Sequence, residues 1–112
     1  MTEKSNANLQ KTLFKFDCTV QEGKIRLALK QTNNDAPYYY EAFFTLEELY
    51  QKNYCFKACE NLEDAQKHLL AMYQNESTSL KSLEDDKKIE INFVIFNISR
   101  KENLSFILER KQ

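Results

Sequence analysis

Phe14-Lys15-Phe16-Asp17-Cys18-Thr19-Val20 alternates apolar and polar side chains, and after Gln21-Glu22-Gly23-Lys24 the alternation resumes, with Ile25, Leu27 and Leu29 set against Arg26 and Lys30. A period of two is the mark of a strand with one buried face. Two such runs around a four-residue gap predict a β-hairpin. Gly23, the only glycine in the chain, is available for the positive φ that tight hairpin loops demand.

Working outward, Gln31 to Ala36 is a polar loop closed by Pro37, a residue tolerated at the start of a strand, and Tyr38 to Phe44 reads as a third strand. Thr45 with Glu48 three residues later is a capping box, which predicts a short helix from Leu46 to Lys52 ended by Asn53. Asn61 ahead of Glu63 and Asp64 repeats the start signal, and Leu62, Ala65, Leu69 and Met72 keep helical spacing to about Gln74. Leu80 and Leu83 mark a short strand, and Glu84-Asp85-Asp86-Lys87 is a charged, solvated turn.

Ile89, Ile91, Phe93 and Ile95 share one face of the next strand, while its other face changes from Glu90 and Asn92 to Val94 and Phe96, so its second half is expected to be covered on both sides. Ser99 to Asn103 is the following turn, and Leu104, Phe106 and Leu108 mark the last strand. The order is β-β-β-α-α-β-β-β. It specifies an α+β domain, an antiparallel β-sheet or sandwich with two helices inserted between strand groups. Residues 1–10 are polar and unpatterned and are expected to be a mobile tail ahead of a single domain over 11–112.

The 112 residues suffice for one domain, and 42% hydrophobic with 29% charged side chains lies in the globular range. With 16 Lys and Arg against 17 Asp and Glu, the chain has no global attraction for phosphate backbones or anionic lipid. Nucleic acid and membrane are therefore not expected partners. The first ten residues lack the apolar core of a secretory signal, and apolar runs such as Phe93 to Phe96, none longer than the five residues Leu69 to Tyr73, are far short of the roughly 20 residues that span a bilayer. A cytoplasmic location with reduced Cys18, Cys55 and Cys59 is the expectation.

One glycine cannot build a phosphate-cradling loop, which removes Walker and Rossmann readings. His68 is the only histidine, and no serine stands in a nucleophile elbow. Cys55 and Cys59 with Cys18 and His68 are the right residue types for a Cys3His zinc site, but the spacing is irregular and a buried structural role accounts for each. Glu84, Asp85 and Asp86 lack the alternating ligands of a calcium loop. The acids that open the two helices already serve their dipoles. No catalytic residue, metal ligand or cofactor is assigned.

Tyr38, Tyr39 and Tyr40, with Phe43 and Phe44, put rings on both faces of one strand. Because tyrosine is enriched at interfaces, these three tyrosines are the candidate partner-binding residues.

Residues 38–111 resemble an uncharacterised α+β domain recurrent in protist proteins. The resemblance is carried by the tyrosine-rich strand before Phe44-Thr45-Leu46-Glu47-Glu48-Leu49, by Asn53-Tyr54-Cys55-Phe56 and Leu62-Glu63-Asp64-Ala65, by the strand Ile89-Glu90-Ile91-Asn92-Phe93 and by the closing Leu104-Ser105-Phe106-Ile107-Leu108-Glu109-Arg110-Lys111. That family has no established activity, so the resemblance implies an interaction or assembly module. The element order is also similar to the head domains of centriolar cartwheel and DNA end-joining scaffold proteins. The expected function is a non-catalytic protein-protein interaction module, a small subunit of a larger cytosolic or cytoskeletal assembly, with ciliary microtubule structures as one setting. The alternative is a small-molecule-binding protein or enzyme with a pocket between sheet and helices, lined by Cys55, Cys59, His68 and nearby tyrosines.

Overall fold

The computed structural model describes residues 7–32, 38–96 and 100–111. Among them, seven strands form one curled antiparallel sheet: β1 Ala7–Leu9, β2 Phe14–Gln21, β3 Lys24–Gln31, β4 Tyr39–Phe44, β5 Ser79–Leu83, β6 Lys88–Phe96 and β7 Lys101–Lys111. Their spatial order is β1-β5-β6-β7-β4-β3-β2. Helices α1 (Leu46–Lys52) and α2 (Leu62–Tyr73) are inserted between β4 and β5. The α+β class and the order β-β-β-α-α-β-β-β hold, with β1 added in front, and of the two arrangements expected, sheet or sandwich, the strands form the single sheet.

Alternation determines which side chains meet the core. Phe14 and Cys18 of β2, Ile25, Leu27 and Leu29 of β3, Tyr40 of β4, Ile89, Ile91 and Phe93 of β6, and Leu104, Phe106 and Leu108 of β7 are buried in one cluster with Leu49, Phe56, Ala65 and Leu69 from the helical segment. The opposite face of the sheet carries the alternating polar and charged set. Helix α2 lies along the edge strand β2. Its Gln66 amide donates to the Cys18 carbonyl at 2.7 Å, and the Tyr73 ring stacks on Phe16 at 4.2 Å.

The local start signals act as their chemistry requires. Thr45 Oγ1 accepts from the Glu48 amide at 3.1 Å while the Glu48 carboxylate accepts from the Thr45 amide at 2.8 Å. Asn61 caps α2 by accepting from the Asp64 amide at 2.9 Å. The far end of α2 is closed from outside the helix, where Lys11 Nζ donates to the carbonyls of Tyr73 at 2.6 Å and Asn75 at 3.0 Å.

In the β2–β3 hairpin, Gln21 pairs with Lys24 around Glu22 and Gly23, whose φ values are 50° and 79°. Both central residues are left-handed, the arrangement that suits two-residue hairpins. A Cβ on Gly23 meets nothing within 4 Å, so Gly23→Ala carries only the backbone penalty of an L-residue at that φ, about 1 kcal/mol. Thermal unfolding by circular dichroism should show the midpoint lowered by about 4–8 °C. Gly23→Asn, which tolerates left-handed φ better, should recover part of that loss.

Three expectations are corrected. Ala7–Leu9, assigned by sequence to the mobile tail, pairs with Ser82, Lys81 and Leu80 of β5; a three-residue strand is too short to show alternation, and its partner lies some seventy positions away. Strand β7 begins at Lys101 instead of after Asn103, because the hairpin pairing runs on from Val94 opposite Asn103 to Phe96 opposite Lys101. Phe96 is 65% exposed, so the double cover expected for the end of β6 is absent there. The tail residues 1–6, the loop 33–36 with Pro37, the start of the turn at Ser99, and Gln112 lie outside the described residues.

Candidate functional site

The two edge strands of the sheet, β1 and β2, are consecutive in the chain and joined by a 3-10 turn at Lys11–Leu13. The sheet therefore curls until both reach one end of the molecule. There they enclose a pocket of about 210 Å³ whose walls are Leu9, Phe14, Tyr38, Tyr40 and Ile89, with Leu13 at its rim and Gln31 and Asp86 as its polar side chains. Five strands or their flanks contribute, and Leu13 is 51% exposed.

Two of the three candidate tyrosines belong to this pocket. Tyr40 is 3% exposed and donates its hydroxyl to the Asp86 carbonyl at 2.7 Å. Burial, with smaller contributions from Tyr38 and Asp86, pushes its phenol above the ordinary value, while Arg110 works against the shift. Tyr38 meets Tyr40 edge-on at 5.9 Å and carries the Arg110 guanidinium 4.9 Å from its ring centre. Tyr39 points the other way. On the outer face its ring lies 5.7 Å from the Arg26 guanidinium, which is itself paired with Glu41 at 2.8 Å.

Asp86, read from sequence as part of a solvated turn, is the hub of the polar wall. Glu84, Asp85 and Asp86 take φ values of 53°, 56° and 69°, a left-handed run that L-residues adopt only when surrounding contacts hold it. The contacts are present. The Ser82 hydroxyl donates to the Asp86 carboxylate, Arg110 Nη1 reaches the Asp86 carbonyl at 3.4 Å, and the Arg110 amide donates to the Lys87 carbonyl at 3.0 Å. Leu9, Leu13, Gln31, Asp86 and Arg110 were missed as site residues because their meeting depends on the curl. The one legible signal was the tyrosine run itself.

The second candidate region is assembled differently. Cys18 lies buried on β2, and Cys59 is buried beyond α1, where its carbonyl accepts from Tyr50 Oη at 2.8 Å. Phe56 is fully buried and meets His68 edge-on at 5.9 Å. No group of three or more His, Cys, Asp or Glu side chains suited to a metal occurs among the described residues. Burial pushes the Cys18 thiol up to about 12, and burial with the nearby Cys59 and Glu102 pushes Cys55 up to about 11. Burial and Asp64 raise Cys59 as well. Such surroundings are the opposite of the electropositive setting that makes a thiolate reactive.

No helix in the described residues is long and apolar enough to cross a membrane. Compared with known proteins, the chain matches no family model, no curated protein and no solved structure.

Proposed function

We propose that this chain is a non-catalytic protein interaction module and that the pocket at the Tyr38–Tyr40 end of the sheet receives one large apolar side chain of a protein partner. The observation that carries the reading is the pocket's size and lining. At about 210 Å³ it is smaller than the roughly 300–1,000 Å³ of sites that take whole metabolites or drug-sized ligands. A cavity of about 150 Å³ already holds a benzene ring, so the volume matches a single leucine, phenylalanine or tryptophan side chain. A large side chain seated in a well-packed pocket from which water is excluded is the usual arrangement of an interface hot spot.

The reading of a non-catalytic role is further supported by the raised thiols and by the packing of the lone histidine against Phe56. The cytosolic setting is supported by the free thiols of Cys18, Cys55 and Cys59, and the cytoskeletal one, ciliary microtubules included, by the sequence resemblance.

The test is to purify the tagged chain from its native cells at low and at high salt and to identify stoichiometric partners by mass spectrometry, in parallel with Leu13→Asp. Leu13 is half exposed, so the variant should fold. A protein partner that survives high salt and is lost from Leu13→Asp is the expected result. A clean monomer at both salts, or a partner retained by the variant, would overturn the assignment.

A further inference from the structure

The outer face of the sheet, away from the pocket, carries charge in bands. Lys15 of β2 pairs directly with Lys30 of β3, and Tyr39 of β4 pairs with Lys111 of β7. Leu29 pairs with Tyr40, which puts Lys30 beside Tyr39 one step further along. Lys15, Lys30, Tyr39 and Lys111 thus form a single row across four neighbouring strands, spanning about 14 Å at strand spacing. All three lysines are exposed, and none forms an ion pair among the described residues.

The Lys15–Lys30 pair is unusual for a sheet, because like charges directly opposite each other are destabilising. The next row inward contains Asp17, Glu41 and Glu109 and runs on to Lys88 of β6, and its Glu41 is held by Arg26 at 2.8 Å. Among the described residues, the cations of the neighbouring rows are paired, Arg26 with Glu41 and Lys88 with Glu84 at 3.5 Å, whereas the three lysines of this row are not.

We infer that the lysine row is a docking strip for an acidic polypeptide segment of a protein partner. An extended peptide repeats side chains on one face about every 7 Å, so two or three carboxylates can follow the row without reaching the acidic band. A nucleic-acid strand fits less well. Its phosphates continue on both sides, the acidic row repels them, and the Tyr39 ring that would receive a base is already engaged by Arg26. The strip lies on the opposite face from the pocket and stands without it, although both belong to an interaction module.

The probes are a fluorescein-labelled octaglutamate peptide, its octaglutamine counterpart and a labelled decathymidylate, measured by anisotropy on the full chain. The expected result is that octaglutamate binds at 50 mM salt, weakens about tenfold by 200 mM, and is not matched by octaglutamine. Lys15→Glu and Lys30→Glu should each weaken binding at least fivefold while raising the melting temperature by a few degrees, since each turns a like-charge pair into an opposite one. A merely structural lysine would not lose binding as stability rises. Lys111→Glu should weaken binding without that gain.

No octaglutamate binding, equal binding by octaglutamine, or undiminished binding in Lys15→Glu and Lys30→Glu would each overturn the inference. Tighter binding of decathymidylate, with displacement of the peptide, would transfer the strip to nucleic acid. Sedimentation showing self-association abolished by Lys30→Glu would make a second copy the occupant. Leu13→Asp should leave octaglutamate binding unchanged, so failure of the pocket and failure of the strip are read separately.

Discussion

Phe106→Ala is expected to destabilise the fold by about 3–5 kcal/mol, the range for truncating a fully buried phenylalanine. Phe106 sits on β7, the middle strand of seven, and is completely buried. Its ring meets Phe44 of β4 at 5.0 Å and Phe93 of β6 at 5.8 Å, both edge-on, and Lys52 Nζ of α1 lies 5.0 Å from its centre. The substitution therefore removes burial, two aromatic contacts worth about 0.5–1.5 kcal/mol each, and the cation that α1 lays over the ring. The neighbouring rings are held by strands on both sides, so the cavity has little room to collapse. Ile107 supplies the control. One residue along the same strand it faces outward at 47% exposure, and Ile107→Ala should stay within about 0.5 kcal/mol. Guanidinium unfolding of the two variants measures the contrast, and equal losses would mean that the faces of β7 are assigned the wrong way round.

That contrast also marks what was legible in the sequence. Which face of β7 is buried follows from Leu104, Phe106 and Leu108 at every second position, and the capping box of α1 and the N-cap of α2 follow from Thr45 with Glu48 and Asn61 with Asp64, because these are contacts between residues three apart. The Glu22-Gly23 turn is equally local. Strand β1 was not legible, since Ala7–Leu9 is defined only by its pairing with Leu80 to Ser82. The choice between one curled sheet and a sandwich was not legible either, because both bury the same alternating residues. The pocket was half visible: alternation along the tyrosine run already sends Tyr39 to the face opposite Tyr38 and Tyr40, but only the curl brings those two to Leu9, Phe14 and Asp86. The lysine row needed the register of β2, β3, β4 and β7. Lys15 and Lys111 are 96 positions apart, and nothing in either neighbourhood says that they share an end of the sheet.

The second large effect is an alkaline loss of stability to which Cys18 and Tyr73 contribute beside the raised Cys55, Cys59 and Tyr40. Cys18 is 4% exposed on the inner face of β2, and burial raises its thiol from an ordinary 9.0 to about 12. Tyr73, buried against Phe16, is raised from 10.0 to about 12 by the same cause. Its hydroxyl is buried with no hydrogen-bond partner among the described residues, so no hydrogen bond is in place to stabilise a phenolate. Below pH 9 both groups are protonated whether the chain is folded or not, and the pH has no purchase on stability through them. Above pH 9 the unfolded chain gives up the Cys18 proton while the folded chain keeps it, which favours unfolding by about 1.4 kcal/mol per pH step. From 9 to 12 that is on the order of 4 kcal/mol, with Tyr73 adding to the slope above pH 10. Domains of this kind hold about 5–15 kcal/mol in reserve, so much of the margin disappears across this window. Urea unfolding at a series of pH values from 7 to 11.5 measures the effect. Cys18→Ala loses some stability at every pH by opening a small cavity, but its curve should fall less steeply above pH 9, and adding Tyr73→Phe should flatten it further above pH 10. Parallel curves for the native chain and the double variant would show that neither group keeps its proton longer in the folded state than in the unfolded one.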